Sequence, residues 1–215
     1  MSTAVIFDMD GTLFDTEAVF QKYWNAIAKE RGIVLPDAFK YEICGTSGEV
    51  MNRIIEKQYR VKDGTEIQRE CKRRVAKELS RGVPLKPGCR EILASLHERG
   101  IPMAIGSSGR RAQIESNLSV SGFTSYFSAI ASGDEIFHGK PAPDIFLLAA
   151  KRLGVPPADC YVFEDSPNGI RAAHAAGMKP ILIPDRMPVT EEIASLTVGV
   201  YKVLTDALEE LMAAD

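Results

Sequence analysis

Short apolar runs alternate with longer stretches of helical periodicity over most of this chain. Ala4-Val5-Ile6-Phe7 is a compact run ending on Asp8, and Pro102-Met103-Ala104-Ile105 ends on Gly106-Ser107. Phe127 to Ala131 is a weaker run, Cys160-Tyr161-Val162-Phe163 ends on Glu164-Asp165, and Pro180 to Ile183 closes the series. Between them, helical patterns cover 88–99, 110–121, 144–153 and 167–176, several of which run into a glycine (Gly100, Gly122, Gly154, Gly177), as helix C-termini often do. Strands that are apolar throughout, alternating with helices, predict an α/β fold with a parallel sheet covered by helices on both faces.

Residues 16–83 break this rhythm. They hold no convincing apolar strand, but helical patterns at 18–31, 48–59 and 65–81, after which Leu85-Lys86-Pro87-Gly88 reads as a return linker. So long a helical excursion exceeds the usual connection between strands, which predicts a separate helical cap over 16–84 on a core of 1–15 and 85–215. Phe20, Tyr23 and Trp24 are spaced as the core of that cap.

The composition, 45% hydrophobic and 26% charged over 215 residues, is that of an ordinary globular chain, and the net charge of -3 gives no electrostatic reason to expect nucleic acid. No apolar run approaches the roughly 18 residues that span a bilayer, and the N-terminus reads as a first strand, not a signal peptide. Cys44, Cys71, Cys89 and Cys160 are scattered without paired spacing, as expected for reduced thiols in a cytoplasmic protein.

Four polar clusters follow strand ends, on the edge where open parallel sheets bind ligands. In Asp8-Met9-Asp10-Gly11-Thr12-Leu13, two carboxylates repel each other unless a cation or proton intervenes; one can attack while the other moves protons, although Asp and Gly are also ordinary turn residues. Gly106-Ser107-Ser108-Gly109 offers hydroxyls and N–H groups to an anion, or simply an N-cap for the next helix. Gly139-Lys140-Pro141-Ala142-Pro143-Asp144 holds a lysine on a stiff frame, where its ammonium meets a phosphate or the attacking carboxylate, or merely solvent. Glu164-Asp165 completes, with Asp8 and Asp10, an all-oxygen environment suited to magnesium, or is acid enrichment at a helix start.

With these four motifs in order, the chain resembles over essentially its whole length the haloacid dehalogenase superfamily, in its beta-phosphoglucomutase and phosphoglycolate phosphatase-like branch. Ser166-Pro167-Asn168-Gly169-Ile170 is also typical of that branch. The resemblance implies a Rossmann-like core with a helical cap after the first motif. It implies that Asp8 attacks phosphorus and forms an aspartyl phosphate, while Asp10 protonates the leaving oxygen and then activates water. Ser107 and its neighbour Ser108 would bind the phosphoryl oxygens and Lys140 would neutralise charge. Magnesium would be held by the Asp8 carboxylate, the Asp10 backbone carbonyl and Asp165, with Glu164 binding directly or through water. The expected function is a magnesium-dependent phosphatase, a monomer acting on a small phosphomonoester, preferably a sugar phosphate.

Within the superfamily, dehalogenases lack the second aspartate, so Asp10 argues against that chemistry, and a non-catalytic relative would be free to lose motif residues that are all present here. The competing reading is a beta-phosphoglucomutase, which resembles this chain but carries a cap histidine and a cap arginine. Here Asp15-Thr16-Glu17-Ala18-Val19-Phe20 has no histidine, and Cys44-Gly45-Thr46-Ser47-Gly48-Glu49 has Gly48 where the arginine is expected, with Arg53 nearby. Without that guanidinium a bisphosphate is gripped less well, which favours water as acceptor. Substrate choice is expected at Glu17, Gly45, Thr46 and Ser47; His97, His138 and His174 fall outside the motifs.

Overall fold

A computed structural model of the chain describes residues 3–44, 46 and 48–212. Its sheet has six parallel strands, β1 (Ala4–Phe7), β2 (Met103–Ser107), β3 (Ala129–Ser132), β4 (Cys160–Glu164), β5 (Lys179–Leu182) and β6 (Gly199–Val200), in the order β3-β2-β1-β4-β5-β6. The five expected runs are all strands, each within two residues at either end. The sixth went unforeseen because Gly199–Val200 is too short to show a pattern.

From β1 the chain moves outward to β2 and β3, then returns to the other side of β1 for β4. Such a reversal is where open parallel sheets form a ligand crevice at the carboxyl ends of their strands. Phe7 lies opposite both Ile105 and Phe163, and the Asp8 N–H donates to the Phe163 carbonyl at 2.9 Å. The register therefore brings Asp8 and Glu164, one residue beyond the paired phenylalanines, to the crevice together.

Alternation along β1 supplies both cores. Val5 and Phe7 face α5 (Cys89–Glu98) and α6 (Arg111–Ser121) through Ile92, Leu96, Ile114 and Leu118. Ala4 and Ile6 face α7 (Asp144–Leu153) and α8 (Pro167–Ala175) through Ile145, Phe146, Ala149 and Ala172.

Between β1 and β2 stand α1 (Thr16–Glu30), α2 (Phe39–Ile43), α3 (Gly48–Tyr59) and α4 (Thr65–Leu79), with a hydrophobic cluster of their own. Trp24 is buried in it, Phe20 and Tyr23 pack against it, and the Tyr59 hydroxyl donates to the Trp24 carbonyl at 2.7 Å. The two linkers to the insert are joined: Asp15 N–H donates to the Pro84 carbonyl and Lys86 N–H to that of Leu13, both at 2.9 Å, around an antiparallel Phe14–Leu85 bridge. Two short helices, α9 (Glu191–Ser195) and α10 (Leu208–Met212), follow β5 and β6. No helix among the described residues is long and apolar enough to cross a membrane. The four cysteines are free; burial pushes the thiols of Cys71 and Cys89 up to about 12 and that of Cys160 up to about 11.

Candidate active site

Asp8 follows β1 directly, and the chain then turns sharply. The N–H groups of Leu13 and Phe14 both donate to the Met9 carbonyl at 3.0 Å, and Gly11 N–H donates to the Phe14 carbonyl at 2.8 Å. Gly11 has φ +89°, and a Cβ there would lie 2.5 Å from Asp165 Oδ2, so the turn accepts only glycine. Buried Met9, Leu13 and Phe14 anchor it to the core. The carboxyl of Asp165 is thereby pressed against the peptide that follows Asp10, and the Thr12 hydroxyl donates to Asp165 Oδ1 at 3.2 Å.

Asp10 opens into the cleft, where its Oδ1 accepts a 2.7 Å hydrogen bond from the Thr16 hydroxyl. Thr16 is the first residue of α1, so the insert itself orients this carboxylate.

Lys140 enters from the opposite side. Its Nζ donates to Asp8 Oδ1 at 2.5 Å and to Glu164 Oε1 at 2.6 Å, and sits 4.7 Å from the centre of the Phe146 ring. The side chain is only 8% exposed, so this is not a solvated lysine. The Lys140–Pro141 peptide is cis. Glu164, 1% exposed, turns its other oxygen, Oε2, back to accept from the N–H groups of Asp165 and Ser166 and from the Ser166 hydroxyl at 2.8–2.9 Å. Glu164 and Asp165 precede α8, whose first turn holds no acid, so helix-start enrichment does not account for them. Glu164 fits only because α8 carries glycine at 169, where a Cβ would stand 1.8 Å from the Glu164 carboxyl carbon. Gly169→Ala is accordingly expected to lower stability by about 1–3 kcal/mol in thermal or urea unfolding and to loosen Lys140 with it.

Ser107 is buried at the end of β2, and its Oγ accepts from the Gly109 N–H at 3.1 Å, which leaves the hydroxyl hydrogen for another acceptor. Ser108 is exposed. Neither caps α6, whose N-cap is Arg110 without a side-chain bond.

These groups alter one another's protonation. Burial pushes Asp8 up to about 8, with Lys140 pulling down and Glu164 and Asp10 adding to the rise. Asp165 is raised by burial and then by Glu164 and Asp8. Asp10, open to the cleft but crowded by protein that limits its hydration, is raised as well, against the Thr16 hydrogen bond and Lys140. Burial works against the Lys140 ammonium, yet Asp8 and Glu164 outweigh it and hold its pKa above the ordinary lysine value.

Among the described residues no three His, Cys, Asp or Glu side chains converge on one point. Two contacts explain this: Lys140 Nζ lies between Asp8 and Glu164, and the Asp10 carboxylate bends toward Thr16. Glu164, with both oxygens committed to protein donors, orients Lys140 and is not placed to bind a metal directly. Oxygens remain at Asp8 Oδ2, at Asp165 Oδ2 and at the Asp10 carbonyl, which the turn's hydrogen bonds leave aside in favour of those of Met9 and Phe14. A few hard oxygens in a cleft with an excess of carboxylates fit magnesium, which keeps several of its waters.

The expected specificity residues are less gathered. Glu17 is half-buried near Asp10, its carboxyl raised by burial against a hydrogen bond with Cys44. The Thr46 hydroxyl donates to the Ile43 carbonyl at 2.7 Å, within its own loop, and Gly45 and Ser47 lie outside the described residues. Arg53 is exposed and paired with Glu49 at 2.6 Å. His97 meets the Tyr126 ring edge-on, His138 faces Asp144 at 3.2 Å, and His174 lies in the last turn of α8. Thr12, Thr16, Ser166 and Phe146 all contact site groups, and sequence reasoning gave them no role: a lone hydroxyl carries no spacing signal, and Phe146 reads as one more apolar position of a helix. Gly169 did carry one, because glycine inside a helix start marks a close approach.

The sequence profile of haloacid dehalogenase-like hydrolases matches residues 5–183. The chain belongs to this family. It is 37% identical over 178 residues to the fructose-1-phosphate phosphatase of Escherichia coli (strain K12), which covers 82% of this chain and 94% of that protein. It is 36% identical over 191 residues to a protein of Drosophila melanogaster named "probable pseudouridine-5'-phosphatase", over 85% of this chain and 82% of that one. Among solved structures, CbbY of Rhodobacter sphaeroides in complex with phosphate superposes with a TM-score of 0.78 at 28% identity, over 96% of each chain. Family membership gives the motif residues a common context: Asp8, Asp10, Ser107, Lys140, Glu164 and Asp165 all stand at one edge of the family's sheet.

Proposed function

We propose that this phosphoric monoester hydrolase is a magnesium-dependent phosphatase that cleaves a small phosphomonoester, a sugar phosphate, through an aspartyl phosphate on Asp8. The observation that carries this reading is the Asp8 carboxylate, fixed by Lys140 through Oδ1 while Oδ2 stays free, with Asp10 held by Thr16 at the mouth of the same crevice.

Asp8 Oδ2 attacks phosphorus as the ester P–O bond breaks, and the Asp10 carboxyl gives its proton to the departing oxygen. The raised pKa of Asp10 suits it to carry that proton. Asp10, now a carboxylate, takes a proton from water as the water oxygen attacks phosphorus; the acyl phosphate P–O bond breaks, Asp8 is restored and inorganic phosphate leaves. Ser107, Ser108 and the adjacent N–H groups hold the phosphoryl oxygens, and Lys140 keeps Asp8 aimed and offsets its charge. The Asp8 carboxylate, the Asp10 carbonyl and Asp165 would hold magnesium, which supplies charge stabilisation for the transferring phosphoryl group.

In this reading the protein is a cytoplasmic monomer with a core of 1–15 and 85–215 and a cap of 16–84 that excludes water during phosphoenzyme formation. Glu17, Gly45, Thr46 and Ser47 select the organic part of the substrate. The sugar-phosphate preference draws support from the named activity of the Escherichia coli relative. A phosphate-release screen over small phosphomonoesters, with magnesium and with chelator, tests the reading: release that needs no divalent metal contradicts it. In the same screen, beta-glucose 1-phosphate with a bisphosphate primer is expected to yield phosphate faster than glucose 6-phosphate. Isomerisation outpacing release would make the protein a mutase.

A further inference from the structure

Beyond β5 the chain runs Ile183-Pro184-Asp185-Arg186 along the edge that carries the site. The chemistry above uses neither charge. Asp185 Oδ1 accepts from Lys86 Nζ at 2.8 Å, and the two side chains are 8% and 14% exposed respectively. Arg186 reaches the other way, with Nη2 3.4 Å from Asp15 Oδ1. Lys86 lies on the returning linker of the helical insert and Asp15 on the outgoing one, so two adjacent residues of the core loop hold both strands of the hinge.

Two features show that stability alone does not account for this arrangement. Asp15 is the N-cap of α1, yet its side chain makes no capping bond and turns instead to Arg186. Asp185 Oδ2 and Arg186 Nε form a buried ion pair at 3.5 Å in which neither atom makes a hydrogen bond. A forgone cap and a buried ion pair without hydrogen bonds contribute less stability than the same groups could, and departures of this kind concentrate where geometry serves function. What the arrangement does gain is a continuous path to the site: Arg186 holds Asp15, the next residue is Thr16, and the Thr16 hydroxyl orients Asp10.

We propose that Asp185 and Arg186, with Lys86 and Asp15, form an ionic clasp across both linkers that positions the helical insert and, through Thr16, the Asp10 carboxylate. These are positioning residues, and their part in turnover rests on the phosphatase reading. The clasp adds a charged junction to the backbone hydrogen bonds that join the two linkers.

The test uses Lys86→Met/Asp185→Leu, which removes both members of that pair and leaves Arg186 its contact with Asp15, beside Lys86→Arg, which keeps the pair. Hydrogen exchange is followed at the Asp15 and Lys86 amides, and turnover of p-nitrophenyl phosphate with magnesium is compared with the inhibition constant of inorganic phosphate. The double variant is expected to exchange those two amides roughly tenfold faster, with β1 and β4 amides unchanged. Its kcat is expected to fall several-fold while phosphate, held by Ser107 and Lys140 on the core, inhibits equally well; Lys86→Arg is expected to match the wild type. If the double variant does not fold, Arg186→Met is measured in the same way, with the same amide exchanging faster at Asp15. Unchanged linker exchange, or acceleration shared equally by β1 and β4, overturns the clasp. A wild-type protein that releases no phosphate would sink the phosphatase reading, and the exchange data would still decide the clasp.

Discussion

Asp8→Asn is expected to release phosphate from p-nitrophenyl phosphate about 10⁴-fold or more slowly than the wild type, because the carboxamide fills the same space and cannot form the acyl phosphate. The fold should survive, since the amide oxygen can still accept from Lys140. In the metal-free protein the variant should be the more stable of the two near neutral pH. Burial and the neighbouring acids raise Asp8 from 3.8 to about 8, so the native state keeps a proton that the unfolded chain has already released. That makes the Asp8 contribution unfavourable, absent below the unfolded pKa, growing as pH rises toward about 8 and constant beyond it. Thermal unfolding in chelator should therefore show stability falling over this window in the wild type and falling less in Asp8→Asn. Magnesium should remove much of the difference by favouring the ionised carboxylate, with protons released on binding.

Lys140→Met is the second large effect. Methionine still packs on the Phe146 ring, so the change isolates the ammonium. Turnover is expected to drop roughly 10²–10³-fold as the transferring phosphoryl group loses a fixed cation. Asp8 and Glu164 also lose their shared partner inside a buried site, which should cost on the order of 3 kcal/mol in urea unfolding. Combining Lys140→Met with Asp8→Asn should recover part of that stability and none of the activity. Full additivity of the two stability changes would mean that the Lys140–Asp8 contact carries no coupling.

The sheet was readable because β1, β2 and β4 are buried on both faces and show up as unbroken apolar runs, each ending on a polar residue of the site. Gly48–Tyr59 and Asp144–Leu153 match their sequence patterns end to end, since each pairs a clear apolar stripe with a defined stop. The five-residue helices α2, α9 and α10 and the two-residue β6 are shorter than any periodicity can register. Asp8, Asp10, Ser107, Lys140, Glu164 and Asp165 were all legible as motifs, and so was the pairing of Lys140 with Asp8, but the partners of the other oxygens were not. Thr12 bonds Asp165 across 153 residues and Lys86 bonds Asp185 across 99, distances that only the strand order closes. The same limit hid the commitment of Glu164 to Lys140 and to the Ser166 turn, which sets it apart from the Asp8, Asp10 and Asp165 oxygens with which sequence grouped it.

Covalent transfer of the phosphoryl group to Asp8 is the step that most directly distinguishes this mechanism. Asp10→Asn enzyme, which lacks the base for the second step, would be mixed with p-nitrophenyl phosphate and magnesium, quenched in acid, and its phosphorylated peptide mapped by mass spectrometry. One phosphoryl group on the peptide that contains Asp8, released by hydroxylamine and absent in chelator, is the expected result. Phosphate release by the wild type with no label on Asp8 in the trapped variant, or a label on another residue, would contradict it.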